Sequence, residues 1–201
     1  YMVSSGLTER TDVSHYRLSL HLTLAFVIFI LLVWNYLKIT INYKNNHLSQ
    51  IPFYLPAFFL IFILLQISIG ALVSGLNAGE IYQSWPLMNQ NYFPDDSNIK
   101  DLFGLNVFEN PSLIQFIHRN LAYLIFLIFI IMLIIVFKNK NLFYLKKNII
   151  ILFAALLLQI LLGILTILSG AQIILASLHQ IGSIFLITAS LILVFKNSKI
   201  N

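Results

Sequence analysis

Three histidines lie within long apolar stretches of this sequence, and they are the residues best suited to chemistry. They occur as "LSLHLTLAF" around His21, "PSLIQFIHRNLAY" around His118 and "ASLHQIGSIF" around His179. An ionisable side chain at membrane depth is costly unless it has a partner, so each is a candidate site residue. A hydrogen bond to a neighbouring helix explains one such histidine equally well. Three at a similar distance from the same end of their predicted helices favour ligand binding.

The residues around these histidines narrow the choice of ligand. No Cys occurs in the chain, and every Asp and Glu lies outside the apolar stretches. Zinc and di-iron sites favour mixtures of His, Cys and carboxylate ligands, so they are disfavoured here. Two neutral imidazoles can instead bind opposite faces of a haem whose pocket walls are apolar. A haem held by His118 and His179 is therefore the site that the residues favour.

Arg119 directly follows His118 and adds a cation near the end of the same helix. Haem propionates are anionic and would point toward that end, where a guanidinium can pair with one of them. An arginine near a helix end can also extend to the lipid headgroups and serve as an interfacial anchor. From the sequence, both interpretations of Arg119 stay open.

The elements that position these residues are predicted to be membrane-spanning helices. The chain of 201 residues is 59% hydrophobic and only 9% charged, and its mean hydropathy is +0.89, which is typical of integral membrane proteins. A helix of about 20 apolar residues crosses a bilayer. Five stretches qualify: residues 18–37, 53–74, 113–137, 149–168 and 172–195. We predict an all-α integral membrane protein whose last four helices form an up-and-down bundle.

The charged residues fall on two sides of these predicted helices. The loop 38–52, the loop after residue 137 and the tail 196–201 carry lysines and no acidic residue, whereas the segment 1–17 and the long loop 75–110 hold all 7 acidic residues. Because Lys and Arg accumulate on the inner side of membranes, the segment 1–17 and the loop 75–110 are predicted to face outward and the C-terminus inward. The net charge of +5 is then a topology signal and does not indicate nucleic-acid binding.

Two short repeats occur in the apolar stretches. "LLQISIG" at 64–70 recurs as "LLQILLG" at 157–163, and "SLH" at 19–21 recurs at 177–179. Internal repeats are common in membrane folds, and these suggest that a four-helix unit, residues 53–195, follows the last helix of an earlier copy, residues 18–37. The remaining two histidines, His15 and His47, are predicted to be solvated in loops. Interhelical hydrogen bonding and close packing are predicted for the repeated Gln and Gly positions: Gln66, Gly70, Gln159 and Gly163.

The longer motifs resemble those of the haem A synthase family. They are "GALVSGLNAGEIYQSWPLMN" at 70–89, "NVFENPSLIQFIHRNLAY" at 106–123, and "LQILLGILTILSG" followed by "LASLHQIGSIFL". The opening "YMVSSGL" and "VSHYRLSLHLTLAF" resemble the family's loop and fourth helix. The resemblance implies eight spans in two similar four-helix halves. The chain is then expected to hold the fourth span and the complete second half, with the earlier helices missing.

The resemblance also implies an activity, the oxidation of the C8 methyl of haem O to a formyl group, which makes haem A for cytochrome c oxidase. It implies that His118 and His179 hold a haem b cofactor and that His21 is one ligand of the substrate haem. The other substrate ligand and a catalytic acidic residue are expected outside this chain, so the chain alone is expected to be incomplete for catalysis. Many relatives carry an acidic residue where this chain has Ile117, which is a departure from the family pattern.

Partners and location follow from the same resemblance. They are haem O, membrane lipid, an unidentified electron donor, haem O synthase, cytochrome oxidase assembly proteins and a second copy of the chain. The expected location is the bacterial plasma membrane or the mitochondrial inner membrane.

Two other functions compete with this interpretation. A haem b electron-transfer anchor of a quinone oxidoreductase predicts the same histidine pair, but it explains neither the loop "SGLNAGEIYQSWP" nor the third histidine. A cofactor-free membrane scaffold or transporter would use the histidines for contacts between helices. A Soret absorption band would exclude this second alternative.

Overall fold

The structure, a computed structural model, describes residues 13–41 and 50–198 and contains five long α-helices. These are α1 (His15–Thr40), α2 (Tyr54–Gly75), α3 (Pro111–Lys138), α4 (Lys146–Leu168) and α5 (Ile173–Asn197). Each is long and apolar enough to cross a membrane, and each matches a predicted span to within a few residues. The prediction of an all-α membrane protein with five spans is confirmed. The predicted segments 1–17, 38–52 and 196–201, and His47, lie wholly or partly outside the described residues.

Helices α2 to α5 form a ring in which each helix packs against the next and α5 closes back on α2. In this up-and-down bundle α3 and α5 occupy diagonal positions. Helix α1 lies outside the ring, against α2 and α5. Its hydroxyl groups join it to α2, because Ser19 donates to the Ser68 carbonyl at 2.7 Å and Thr23 contacts the Ser68 hydroxyl at 2.7 Å. The described helices thus form a four-helix ring with α1 packed on its outside.

The start of α3 sets the depth of His118 and has a local cause. The side chain of Asn110 accepts hydrogen bonds from the backbone amides of Ser112 and Leu113, at 2.9 and 3.2 Å. Pro111 takes the first helical position, where its missing N–H costs nothing. The helix therefore begins at the residue that the sequence "ENPS" predicts, and His118 lies about two turns further on.

The two ends of the bundle differ in charge. The lysine end, where α1 and α3 end and α4 begins, carries Lys38, Lys138 and Lys146. The acidic end, where α1, α3 and α5 begin, carries the segment 76–110 with its aspartates and glutamates. This segment contains three short 3-10 helices, Ala78–Glu80, Ile99–Phe103 and Leu105–Phe108, so the long loop is structured.

The most densely packed side chains lie in the half of the bundle near the lysine end. Phe59, Phe129 and Ile149 are fully buried there, and Phe129 stacks on Phe153 with ring centroids 5.5 Å apart. Toward the acidic end, α5 is much more exposed, with Phe185 at 65%. The apolar core therefore fills the half of the bundle that does not hold the three membrane histidines.

Candidate functional site

The structure places His118 and His179 at the same level of the four-helix ring. They lie on the diagonal helices α3 and α5, each about two turns from the acidic end. The Nδ1 atom of each ring is buried and has no hydrogen-bond partner among the described residues. Buried polar atoms are normally paired. Two unpaired imidazole nitrogens at matched depth therefore mark this level of the bundle as a candidate ligand site.

Each ring rests against a glycine of the preceding helix of the bundle. A Cβ atom built on Gly70 of α2 would lie 3.1 Å from Cε1 of His118, and one built on Gly163 of α4 would lie 3.1 Å from Cε1 of His179. The repeated heptapeptides thus end in glycines that serve the same contact in two helical hairpins, α2–α3 and α4–α5. The close packing predicted for these glycines is confirmed.

The glutamines of the same repeats behave differently from each other. The amide of Gln66 donates to the backbone carbonyl of His118 at 3.0 Å and lies 3.2 Å from its Nε2 atom. Gln159 packs against α5, where a Cβ on Gly182 would lie 2.0 Å from its amide nitrogen, and that nitrogen has no partner among the described residues. The interhelical hydrogen bond is therefore present at Gln66, and the two hairpins are not chemically equivalent.

His21 does not join the other two histidines. It lies on an exposed face of α1, opposite the face that carries Ser19 and Thr23 and contacts α2. Because α1 packs outside the ring, His21 has no route to the space between α3 and α5. The structure thus places His21 outside the four-helix ring that contains His118 and His179, and its role as a substrate ligand stays a prediction.

Arg119 is buried, at 6% exposure, and holds the loop at the acidic end. Its two terminal nitrogens donate to three loop carbonyls: Nη1 to Ser84 at 2.9 Å and Leu87 at 3.2 Å, and Nη2 to Tyr82 at 3.0 Å. Its Nε has no hydrogen-bond partner among the described residues. A guanidinium placed in this way does not extend to the headgroups. A propionate contact of Arg119 stays a prediction.

Further contacts that the sequence did not predict hold this loop on the start of α3. The amide of Gln115 also donates to the Tyr82 carbonyl, at 3.0 Å, and the hydroxyl of Ser112 donates to Asp96 at 2.6 Å. The Tyr82 hydroxyl donates to Asp95. Gln115 and Arg119 are four residues apart on one helix face, and that spacing at the start of α3 is the only sequence signal of the contact.

The electrostatics of the loop follow from this packing. Burial, together with the hydrogen bond to Asp95 and the negative charge of Asp96, raises the pKa of Tyr82 from its ordinary value of 10.0 to about 12. Burial by itself raises the pKa of Asp96, but hydrogen bonds from Ser112 and Ser97 outweigh it and hold that pKa below its ordinary value. Tyr82 is therefore neutral and Asp96 ionised in the docked loop at neutral pH.

We predict a late phenol titration from Tyr82. Because its folded pKa is raised, its contribution to stability is complete below about pH 10 and declines as the pH rises toward about 12. Ultraviolet absorbance of tyrosinate should show a final step near the upper value that is absent in Tyr82→Phe. Tyr54→Phe, which removes an exposed tyrosine at the lysine end, should leave that step in place. A final titration step that persists in Tyr82→Phe would contradict its assignment to Tyr82.

The sequence-based prediction for His15 is wrong. It was expected to be solvated in a loop, but it is the first residue of α1, its side chain is 15% exposed, and its Nε2 lies 3.5 Å from a carboxylate oxygen of Glu109. The tight packing of α1 on the end of α2 explains the burial, since a Cβ on Gly75 would lie 2.6 Å from the His15 Cβ.

The described residues offer no alternative site for a metal ion. Within residues 13–41 and 50–198, no group of three or more His, Cys, Asp or Glu side chains is arranged to hold a metal ion. The donor set between α3 and α5 is two imidazoles in an apolar bundle. This set suits the two axial positions of a haem iron better than a tetrahedral metal site.

Comparison with known proteins identifies the family. Residues 1–191 match the family model described as "Cytochrome oxidase assembly protein". The chain is also 46% identical over 202 residues to a protein of Pelagibacter ubique named "Heme A synthase", a match covering 98% of this chain and 57% of that relative. The chain belongs to the haem A synthase family. The resemblance inferred from the loop and histidine motifs is thereby confirmed.

Other relatives named "Heme A synthase" match over a similar share of their length. The protein of Wolbachia pipientis wMel is 40% identical over 95% of this chain and 53% of the relative, and that of Rhizobium etli is 38% identical over 92% of this chain and 50% of the relative. The chain thus spans about half the length of the relatives it matches. No solved structure matches it.

Proposed function

We propose that this chain forms the haem b-binding half of a haem A synthase. Such an enzyme would oxidise the C8 methyl of haem O to the formyl group of haem A for cytochrome oxidase assembly. The observation that carries the proposal is the placement of His118 and His179 on diagonal helices at one depth, each with a buried, unpaired ring nitrogen. Family membership supplies the reaction, and the geometry supports the cofactor.

The residues fit a haem b in four respects. Two imidazoles are available for axial ligation, the surrounding helices are apolar, and Gly70 and Gly163 leave the rings space beside the backbone. The dense core lies in the other half of the bundle, so the flat cofactor need not displace it. A haem b bound here would supply one-electron transfer.

The chain's own residues have separable tasks in this proposal. The imidazoles of His118 and His179 would bind the haem and fix its orientation, and the apolar helices keep water away from the two rings. Gln66 donates to the carbonyl of His118 and holds α2 against α3 at the level of the ligand. The structured loop 76–110 covers the acidic end and limits the access of water from that side.

Arg119 is proposed to act at the propionate edge. Among the described residues its buried guanidinium has no carboxylate partner, and its Nε has no hydrogen-bond acceptor. A buried cation that is compensated only by carbonyl dipoles favours an anion nearby. A propionate would meet that requirement while the two terminal nitrogens keep the loop in place.

The substrate side is proposed to involve His21. Its exposed position on α1 suits an axial ligand of haem O that completes its site with helices of the first half. The charge distribution supports a topology with the acidic end on the periplasmic or intermembrane-space side and the lysine end on the cytoplasmic or matrix side. Haem O synthase, other assembly proteins and a second copy of the chain remain proposed partners, and the electron donor and the catalytic residue remain unidentified.

The test is to express the full-length protein that contains this chain in cells that make haem O but lack their own haem A synthase. Haems extracted from the membranes are separated by chromatography, with empty-vector cells as the control. Haem A is expected only with the protein. A b-type spectrum without haem A would refute the synthase and favour an electron-transfer anchor. Absence of any Soret band in the purified protein would refute both and leave a cofactor-free scaffold.

A further inference from the structure

The contacts between glycine and imidazole occur twice with nearly the same geometry. From a Cβ on Gly70, the distances to Cε1, Nδ1 and Nε2 of His118 are 3.1, 3.8 and 3.9 Å; from a Cβ on Gly163, those to His179 are 3.1, 3.6 and 3.7 Å. In both cases Cε1, the atom between the two nitrogens, is nearest to the glycine. The backbone of the neighbouring helix therefore limits how each ring can rotate.

We infer that Gly70 and Gly163 are positioning residues that set the orientation of the two axial imidazoles. The inference rests on the proposed function, because it concerns how the cofactor ligands are held. A methyl group at either position would come closer to Cε1 than most real Cβ contacts do, so the ring would have to move by a few tenths of an ångström. Mutation of the groups that orient a metal ligand typically lowers metal affinity or activity by about 10- to 100-fold.

Different groups of the preceding helix restrain the two rings. At His118, the amide of Gln66 bonds the backbone carbonyl and lies 3.2 Å from Nε2, which restrains the ring from the same helix that carries Gly70. At His179, the side chain of the corresponding Gln159 is directed against Gly182, but the Gln159 backbone is in hydrogen-bonding contact with the ring. Both rings are therefore restrained by the helix that carries the facing glycine, and we expect both Gly70→Ala and Gly163→Ala to alter the axial geometry.

The experiment compares single alanine substitutions in the chain purified in detergent from haem-producing cells. Haem content, the electron paramagnetic resonance g-values of the oxidised haem and its reduction potential are measured for Gly70→Ala and Gly163→Ala. Haem affinity should fall by about tenfold or more in both variants, and the haem that stays bound should be low-spin with shifted g-values and potential.

Two further glycines provide matched controls. Gly75→Ala at the end of the same helix would bring a Cβ within 2.7 Å of the α1 backbone but not near His118, so it should reduce stability and leave the haem spectrum unchanged. Gly104→Ala in the loop meets nothing closer than 3.7 Å and should behave like the unmodified chain.

The outcomes separate the two proposals. Unchanged g-values, potential and haem content in both Gly70→Ala and Gly163→Ala would overturn the positioning role while leaving the haem A synthase proposal intact. The same shifts in Gly75→Ala would also overturn it, because they would then reflect general destabilisation. Absence of haem from the unmodified chain would refute the cofactor, and the positioning role with it.

Discussion

Replacing either His118 or His179 with alanine is expected to abolish the low-spin b-type haem signal of the purified chain. One imidazole cannot supply both axial ligands, and no other His, Cys, Asp or Glu cluster among the described residues offers a replacement. The loss should appear in reduced-minus-oxidised difference spectra and in the haem-to-protein ratio. Each single variant should lose as much bound haem as the double variant, because both ligands would bind the same iron.

The control for this prediction is His21→Ala. His21 lies at similar depth but on the exposed face of α1, outside the four-helix ring, so its removal should leave the b-type signal of this chain unchanged. A b-type signal that persists in His118→Ala, or that disappears in His21→Ala, would mean that the haem is bound elsewhere. Circular dichroism should show that all three variants keep their helices.

Replacing Arg119 with glutamine is expected to release the loop 76–110 from the bundle. The substitution removes three hydrogen bonds from a buried cation and leaves the carbonyls of Tyr82, Ser84 and Leu87 without these donors. Hydrogen bonds to charged groups contribute about 1.5 to 3 kcal/mol each, so a loss on the order of 3 kcal/mol is a conservative expectation. The apparent Tm in detergent should fall on the order of 10 °C.

Limited proteolysis provides the local measurement for the same variant. Cleavage within residues 76–110 should be much faster in Arg119→Gln than in the unmodified chain, whereas cleavage elsewhere should change little. Arg119→Lys keeps the charge but loses the planar fork, and its effect should be intermediate. Lys100→Gln removes one charge from an exposed position of the same loop and should change stability by no more than about 0.5 kcal/mol. Equal effects of Lys100→Gln and Arg119→Gln would show that only net charge matters.

These two predictions concern different parts of one arrangement. His118 and Arg119 are adjacent in α3, but the first faces the interior of the bundle and the second faces the loop. One variant could lose haem but keep the loop protected from proteolysis, and another could keep haem but lose that protection. Such a pair would show that haem ligation and loop docking are separate functions of α3. If Arg119 also pairs with a propionate, Arg119→Gln should weaken haem retention in addition to releasing the loop.

Several features of the molecule depend on short stretches of chain, and the sequence alone determined them. The five spans follow from the length of the apolar runs, and the start of α3 follows from Asn110 and Pro111, whose capping contacts involve only the next three residues. The separation of lysines from acidic residues defines the two ends of the bundle. The depth of His21, His118 and His179 then follows by counting along each helix.

The contacts within the site were decided only by the tertiary structure. These helices are apolar on every side, so no polar face indicates which residues meet a neighbouring helix. That Gly70 would meet His118, that Gln115 and Arg119 would bind the carbonyls of the loop, and that His21 would face away from the bundle all depend on helix rotation. Rotation is set by packing between residues far apart in the chain. For this reason the sequence determined which residues could bind a haem, and the tertiary structure decided which of them lie within the four-helix ring.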